Sequence, residues 1–421
     1  MHKFKMMIKV IYKILCFSVL LLFSINSFGQ ESLKNYLETA AKNNPGLKAK
    51  FSDYMAAMEK VPQVGTLPDP SFAFGYFIQP VETRVGPQNW KFNIAQSFPW
   101  FGLLTAKEDV ATEMANSKYE VFENTKSNLF FEVKTVYYNY YFIEKAIEIT
   151  KENIQILEVF KRLSLVKIEA GKASIVDELR VELELNDLRN QLALLLDTKG
   201  VLKVKFYNLL NTESAEPINV PETLWQDELS LDKQSILDSI YSTNHELKSI
   251  EHKLNAFINQ EVVAKKEGLP KFNIRLDYTI VGNNSGSSFS DNGKDGFVFP
   301  SIGIKIPLYR NKYKALIKEA KYLQEAELSK KEDKKNSLSA VYENTFKNYS
   351  DSDRRILLNQ TQSEIAKKVL DVLITSYSTD SKDFEEVLRI ERQLLKYELA
   401  YQKALTDKNA ATAFVEYLTG N

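Results

Sequence analysis

The sequence predicts a mainly helical chain with a small β part, whose four strands join those of neighbouring subunits in one closed outer-membrane barrel. Three observations carry that prediction. Segments such as KFNIRLDYTI (271–280) alternate polar and apolar residues without a slip, the period of a strand with one wet and one apolar face. Two very long stretches, from about Leu103 to Ala170 and from about Leu308 to Thr379, lack proline and nearly lack glycine. The whole pattern is also written twice, at a spacing of roughly 200 residues.

Composition narrows the class. The 421 residues hold 55 basic and 55 acidic side chains, so no bulk charge points to nucleic acid. Residues 1–29 have the layout of a signal peptide: basic residues up to Lys13, the apolar run ILCFSVLLLF, then the small residues of SINSFGQ, with cleavage near Gly29–Gln30. The apolar run is too short to span a bilayer comfortably. Lys3, Lys5, Lys9 and Lys13 leave with it and no acid does, which makes the mature chain about four charges negative. Cys16, the single cysteine, follows Ile14-Leu15, whereas a lipoprotein signal needs a small residue there; lipidation is not expected. The mature chain then has no thiol for a disulfide or a thiolate metal site. Of the histidines only His245 and His252 remain, too few for a His-based zinc site. No phosphate loop, triad or paired-carboxylate site stands out, and the chain reads as exported and non-enzymatic, with no cofactor.

The repeat organises the elements. KNNPGLKAKF (42–51) lines up with STNHELKSIE (242–251), QSFPWFG with IKIPLYR, and VDELRVELE with EEVLRIERQ. Repeat 1 is therefore 30–210, repeat 2 is 231–421, and 211–230 links them. Each opens with a short helix, from about Ser32 and about Leu231, followed by a second that runs into Leu-Pro. A strand hairpin comes next, over 71–98 and 271–306. In the first, Phe72, Phe74, Tyr76 and Ile78 share a face, as do Trp90, Phe92 and Ile94. In the second, Phe272, Ile274, Leu276, Tyr278 and Ile280 share one, as do Ile302, Ile304 and Ile306. The stretches PVETRVGPQN and GNNSGSSFSDNGKDG read as polar, turn-rich loops. Each long stretch, as a single helix, would be ~100 Å at 1.5 Å per residue, far beyond ordinary globular helices and implying coiled-coil-like packing. The return helices, from about Ser174 to Leu210 and Asp383 to Leu418, are about half as long. Helices ending at Val64 and Glu267 are expected to stack end to end with them.

The strands set the assembly. Exposed to water, their apolar face would form a patch too large for a soluble monomer. Exposed to lipid, unpaired sheet edges would be intolerable. Strands of about ten residues cross a bilayer when tilted. Pooling several copies meets both demands, and three chains of four strands give twelve, an even number as bacterial barrels prefer. Strand arithmetic also allows a dimer, and a soluble sandwich would alternate in the same way. Against the sandwich, none of the outward positions carries a charge.

Several segments together resemble the TolC-type outer membrane efflux proteins: NNPGLKA at Asn43, LPDPSFAFGY at Leu67, QSFPWFG at Gln96, EAGKASIVDELR at Glu169 and the closing YLTG at Tyr417. The PDP and FPWFG stretches look most like the branch serving RND-type heavy-metal or drug pumps. The resemblance implies a homotrimeric duct, a twelve-stranded barrel in the outer membrane continued by a periplasmic α-barrel, joined to a periplasmic adaptor and an inner-membrane pump of RND rather than ABC type. The duct itself would be passive. Two other readings stay open: an exported periplasmic coiled-coil scaffold whose strands bind a partner's sheet, and the same duct serving type I protein secretion.

The far helix turns are the candidate site. Gly171 suits a left-handed helix stop, and Ser174 with Asp177 reads as a capping box with Asp in place of Glu. Asp383 and Glu386 repeat the pattern. By position, the resemblance makes Asp177 the aperture acid and Tyr377 the aperture tyrosine, and puts Lys382 where a basic residue is usual. Asp380 replaces a glycine, Lys382 a likely arginine, and Arg389 falls where an acid might be expected. Lys lacks the bidentate fork of Arg, so a latch would be weaker or rewired, through Arg389 to Asp177 or Glu386; plain capping is the simpler reading of these acids. Trp90, Phe77 and Phe297 suit an aromatic girdle at the headgroup level. Met55 and Met58 would suit soft metals but read as core filler, and VYYNYY (136–141) reads as packing between the long helices.

Overall fold

The protein, seen in a computed structural model, is described over residues 27–213, 217–229, 232–283, 296–379 and 384–421. The leader 1–29 with Cys16 thus falls almost wholly outside the described residues, as do Asp380, Lys382, Asp383 and most of the loop after Val281. Three short helices come first: α1 (Ser27–Asn43), α2 (Pro45–Met58) and α3 (Lys60–Gly65). Strands β1 (Ser71–Thr83) and β2 (Gly86–Phe98) lead into α4 (Leu103–Glu169) and α5 (Ile175–Leu210). The second round is α6 (Lys233–Thr243), α7 (His245–Glu267), β3 (Lys271–Val281), β4 (Phe297–Lys305), α8 (Arg310–Thr379) and α9 (Phe384–Leu418). Helices α4 and α8 are unbroken over 67 and 70 residues, as the absence of proline allows. None of the described helices is long and apolar enough to cross a membrane.

The chain forms two compact units that cut across the sequence repeats. One takes Lys50–Phe122 and His245–Lys334; the other takes Glu123–Asn244, Lys335–Asn421 and the segment up to Ala49.

The first unit carries an antiparallel sheet in the order β1-β2-β3-β4. The first hairpin is tighter than its sequence suggests. PVETRVGPQN is mostly strand, closed by a two-residue turn at Arg84-Val85. Its prolines mislead because the register shifts between Tyr76 and Val81, and Pro87 takes a ladder position opposite Glu82, where an irregular, twisted hairpin end tolerates a missing donor. Gly86 sits at φ +132°, and a Cβ there would lie 1.7 Å from the Gly282 carbonyl oxygen; the close approach requires glycine. In the same unit α7 packs on α4 through a polar seam. His245 Nδ1 meets Glu120 at 2.6 Å, the Ser117 and Ser249 hydroxyls meet at 2.9 Å, and His252 Nδ1 meets Glu113 at 2.8 Å. Both histidines of the expected mature chain are thus engaged by glutamates. Met55 and Met58 are exposed among the described residues, which corrects the core-filler reading.

In the second unit an asparagine joins helix ends. The Asn44 carboxamide caps α2, accepting from Leu47 N at 3.0 Å, and donates to the Leu209 carbonyl at the end of α5 at 3.1 Å. Asn244, its repeat counterpart, donates to the Leu418 carbonyl at the end of α9 at 2.9 Å. Helix C-termini leave carbonyls unpaired, so each amide satisfies one while seating the next helix. The tyrosine run packs between helices as expected and does more. Beyond helix packing, it clamps the inter-repeat linker. Tyr137 donates to the Asn219 carbonyl and Tyr138 to Asp227, while the Tyr141 hydroxyl donates to Gln402 and accepts from Leu224 N. These rings are buried, and a buried hydroxyl needs such partners. At the α4–α5 and α8–α9 ends the four helices share one apolar cluster that includes Leu157 and Phe160 of α4, Val181 and Leu185 of α5, Leu370 and Tyr377 of α8, and Phe384 and Leu388 of α9.

Candidate functional site

Two surfaces carry functional potential. The first is the sheet. Registers Phe72↔Ile94, Phe74↔Phe92 and Tyr76↔Trp90 continue as Phe92↔Tyr278 and Ile94↔Leu276, then as Phe272↔Ile304 and Ile274↔Ile302. Side chains on one face of a sheet share such a row, so all twelve positions expected to face outward line one side. Phe72 is 67 % and Ile302 77 % exposed, and Phe74, Tyr76, Trp90, Ile94, Ile274, Leu276 and Ile304 are exposed as well. Phe92, Phe272 and Tyr278 are partly covered; Phe272 lies under Trp100, with ring centroids 6.0 Å apart. Trp90 packs its ring on Phe74 and Tyr76 at 5.1 and 4.5 Å.

The opposite row is polar. Asp277, 6 % exposed, accepts from Asn93 Nδ2 at 3.0 Å and pairs with Lys91 at 3.2 Å, which joins the two hairpins across β2–β3. The pattern has exceptions. Gln96 sits in the apolar row opposite Ile274, and its amide is satisfied by the Pro68 and Ser97 carbonyls. Phe299 pairs with Asp277 in the polar row. Two girdle candidates change place: Phe77 falls on the face opposite Phe74 and Tyr76 by strand alternation, and Phe297 takes the register position opposite Thr279. Exposed rings sit instead at the strand-to-helix junctions, Phe101 after β2 and Tyr309 after β4, which sequence reading missed although FPWFG and IPLYR contain them.

The second surface is the far helix turns. Gly171, at φ +71°, ends α4 as expected. Ser174 and Asp177 form the reciprocal capping box, with Val176 N on Ser174 Oγ at 3.2 Å and Ser174 N on Asp177 Oδ2 at 3.3 Å. Asp177 also lies 3.8 Å from Arg180, whose other nitrogen reaches Glu385 of α9 at 3.0 Å. Arg389 forms a fork with Glu386 on its own helix; this pair holds the Glu386 carboxyl below its usual range and leaves Asp177 aside. Lys382 lies outside the described residues.

Tyr377 is buried at 2 % exposure, its ring 4.9 Å from that of Phe384, and its hydroxyl has no hydrogen-bond partner among the described residues. Burial raises the phenol's pKa, with the Asp177 charge adding to it. The group that grips this residue is Lys167 of α4. Its ammonium stands 3.8 Å over the ring centroid and donates to the Tyr377 backbone carbonyl. A cation near a helix C-terminus and over an aromatic face is favourable on both counts. Sequence reading did not find Lys167, because its partner is 210 residues away.

A four-stranded antiparallel sheet with one exposed apolar face, in a chain that also forms two long helix pairs in a duplicated order, is a fold shared with solved outer-membrane channels. No protein-family model matches the sequence, and no curated protein matches it. Solved structures do. The outer-membrane channel OprN superposes with a TM-score of 0.76 at 17 % identity, covering 93 % of this chain and 90 % of that one. CusC, described for its folding and transmembrane channel formation, gives 0.76 at 14 %, with 93 % and 92 % covered. The Campylobacter jejuni CmeC outer membrane channel gives 0.75 at 13 %, with 93 % and 86 % covered.

Proposed function

We propose that the chain is one subunit of a homotrimeric exit duct in the outer membrane of a Gram-negative-type cell, extending into the periplasm. One observation carries this reading: the sheet exposes a largely apolar face while β1 and β4 each pair on one side alone among the described strands. Lipid suits the face but not the free edges, and neighbouring copies of the same sheet resolve both. The polar row of Lys91, Asn93 and Asp277 then faces a water-filled lumen. Export by residues 1–29, and two repeats (30–210 and 231–421) around the 211–230 linker, belong to the same proposal.

The duct passively conducts small molecules or metal ions delivered by an inner-membrane pump and a periplasmic adaptor, the pump of RND rather than ABC type. The fold shared with outer-membrane channels supports the conduit; the PDP and FPWFG stretches support the pump class. At the far turns, Tyr377 under Lys167 acts as the aperture contact within each subunit, and Asp177 acts first as a cap. Membrane fractionation tests the proposal. The protein should sediment with outer membranes and run as an oligomer that heating converts to monomer. Recovery as a soluble periplasmic monomer would overturn the duct and favour the scaffold.

A further inference from the structure

One buried acid sits among apolar side chains. Glu391 lies on the inward seam of α9, one and two turns from Phe384, Val387, Leu388, Leu394 and Leu395, all buried in the four-helix cluster. Its side chain is 3 % exposed, and neither carboxylate oxygen has a hydrogen-bond partner among the described residues. Two nearby cations are committed elsewhere. Arg392 pairs with Glu184 of α5 at 3.3 Å, and Lys367 of α8 pairs with Glu398 at 2.8 Å. On α4, the contacts Phe160/Phe384 and Tyr141/Gln402 set an antiparallel register that brings residues 152–153 level with Glu391. There Glu152 is exposed, and the Asn153 amide donates to the Ile149 carbonyl. Asp187 of α5 and Asp371 of α8, the other acids near this level, are exposed.

An ionised carboxylate in such a place is costly, while a neutral one packs much like a glutamine. We propose that Glu391 is a protonation switch in the far helix cluster: neutral, it packs in the seam between Leu388 and Leu395; ionised, it draws water in and loosens α9 against α4, α5 and α8. Placing the switch beside the aperture rests on the duct reading; the switch itself does not.

The sign follows from where the proton sits. Burial, and then the Glu398 charge, raise the carboxyl from 4.5 to about 7, so the packed state holds a proton that the opened state releases. Opening therefore becomes easier as pH rises through this range, and between pH 6 and 8 its equilibrium increases about tenfold. Hydrogen exchange of the full chain in detergent measures this on the amides of 387–395, after correction for intrinsic exchange. Wild type should lose about tenfold in protection from pH 6 to 8, and Glu391→Gln should lose none. Glu391→Leu serves as a second non-ionisable variant if the glutamine fails to fold. A wild type without the pH effect, or variants that keep it, overturns the switch. Single-channel conductance at the same two pH values reports separately on the duct: a protein that forms no channel but shows the exchange pattern refutes the duct alone.

Discussion

Asn44 links two helices through one carboxamide, and the two halves of that group can be removed separately. Asn44→Asp keeps an oxygen for Leu47 N, and Asp caps a helix as well as Asn does. It removes the amide that donates to the Leu209 carbonyl. That hydrogen bond is part-buried, so its loss costs about 1 kcal/mol. The new carboxylate faces the negative end of α5 and the positive end of α2, so the dipole contributions of about 0.3–1 kcal/mol nearly cancel. Asn44→Ala also loses the cap, for a total of about 2 kcal/mol. At Asn244 the side chain is buried, and an unpaired Leu418 carbonyl raises the cost of Asn244→Asp to about 2–3 kcal/mol. Thermal unfolding by circular dichroism in detergent reads the order: wild type, then Asn44→Asp, then Asn44→Ala and Asn244→Asp. Each 1 kcal/mol moves the midpoint of a domain of some 150–250 residues by about 2–4 °C. Aspartate variants that melt with wild type would refute the reasoning, because the amide donor is the one group they lose.

Other perturbations test other levels. Leu276→Asp places a charge in the exposed apolar row and should impair assembly into the outer membrane by up to a few kcal/mol; Asn273→Asp, in the polar row, should assemble normally, and equal yields would contradict the assignment of faces. In planar bilayers Lys167→Met should raise single-channel conductance by freeing Tyr377, whereas Asp177→Ala should leave it unchanged and cost about 1 kcal/mol of cap; the opposite order would return the aperture to Asp177. Phe384→Ala removes a ring buried against Tyr377 and Phe160 and should cost about 3–5 kcal/mol, seen as early tryptic cleavage near the far turns.

Much of the fold was legible because its signals are local. Period-two alternation over Lys271–Ile280 marked a strand that the structure extends by one residue to Val281, and Gly171 with Ser174 set the α4–α5 turn to within a residue. The first hairpin was read less well, since Pro80 and Pro87 look like loop residues until the shifted register is known. What escaped depends on distant partners. Lys167 is an ordinary surface letter until α8 brings Tyr377 beneath it. Glu391 shares the helical face of Phe384, Val387, Leu388, Leu394 and Leu395, but a single acid among apolar residues does not reveal that its carboxyl is buried rather than turned to water. Met55 and Met58 show the reverse: apolar letters on a helix, exposed here.

The β2–β3 pairing has an architectural consequence. Within one chain, the last strand of the first hairpin lies beside the first strand of the second, from Gln88/Val281 to Phe98/Phe272. A ring of three subunits would place β4 beside β1 of a neighbour, again the end of one hairpin against the start of another. Every seam around such a ring would then be a variation on a single template, with half of the seams built into the polypeptide and half left to assembly. Gene duplication would in that case have turned a contact between separate molecules into a covalent one, freeing each copy to diverge while the circumference stayed fixed.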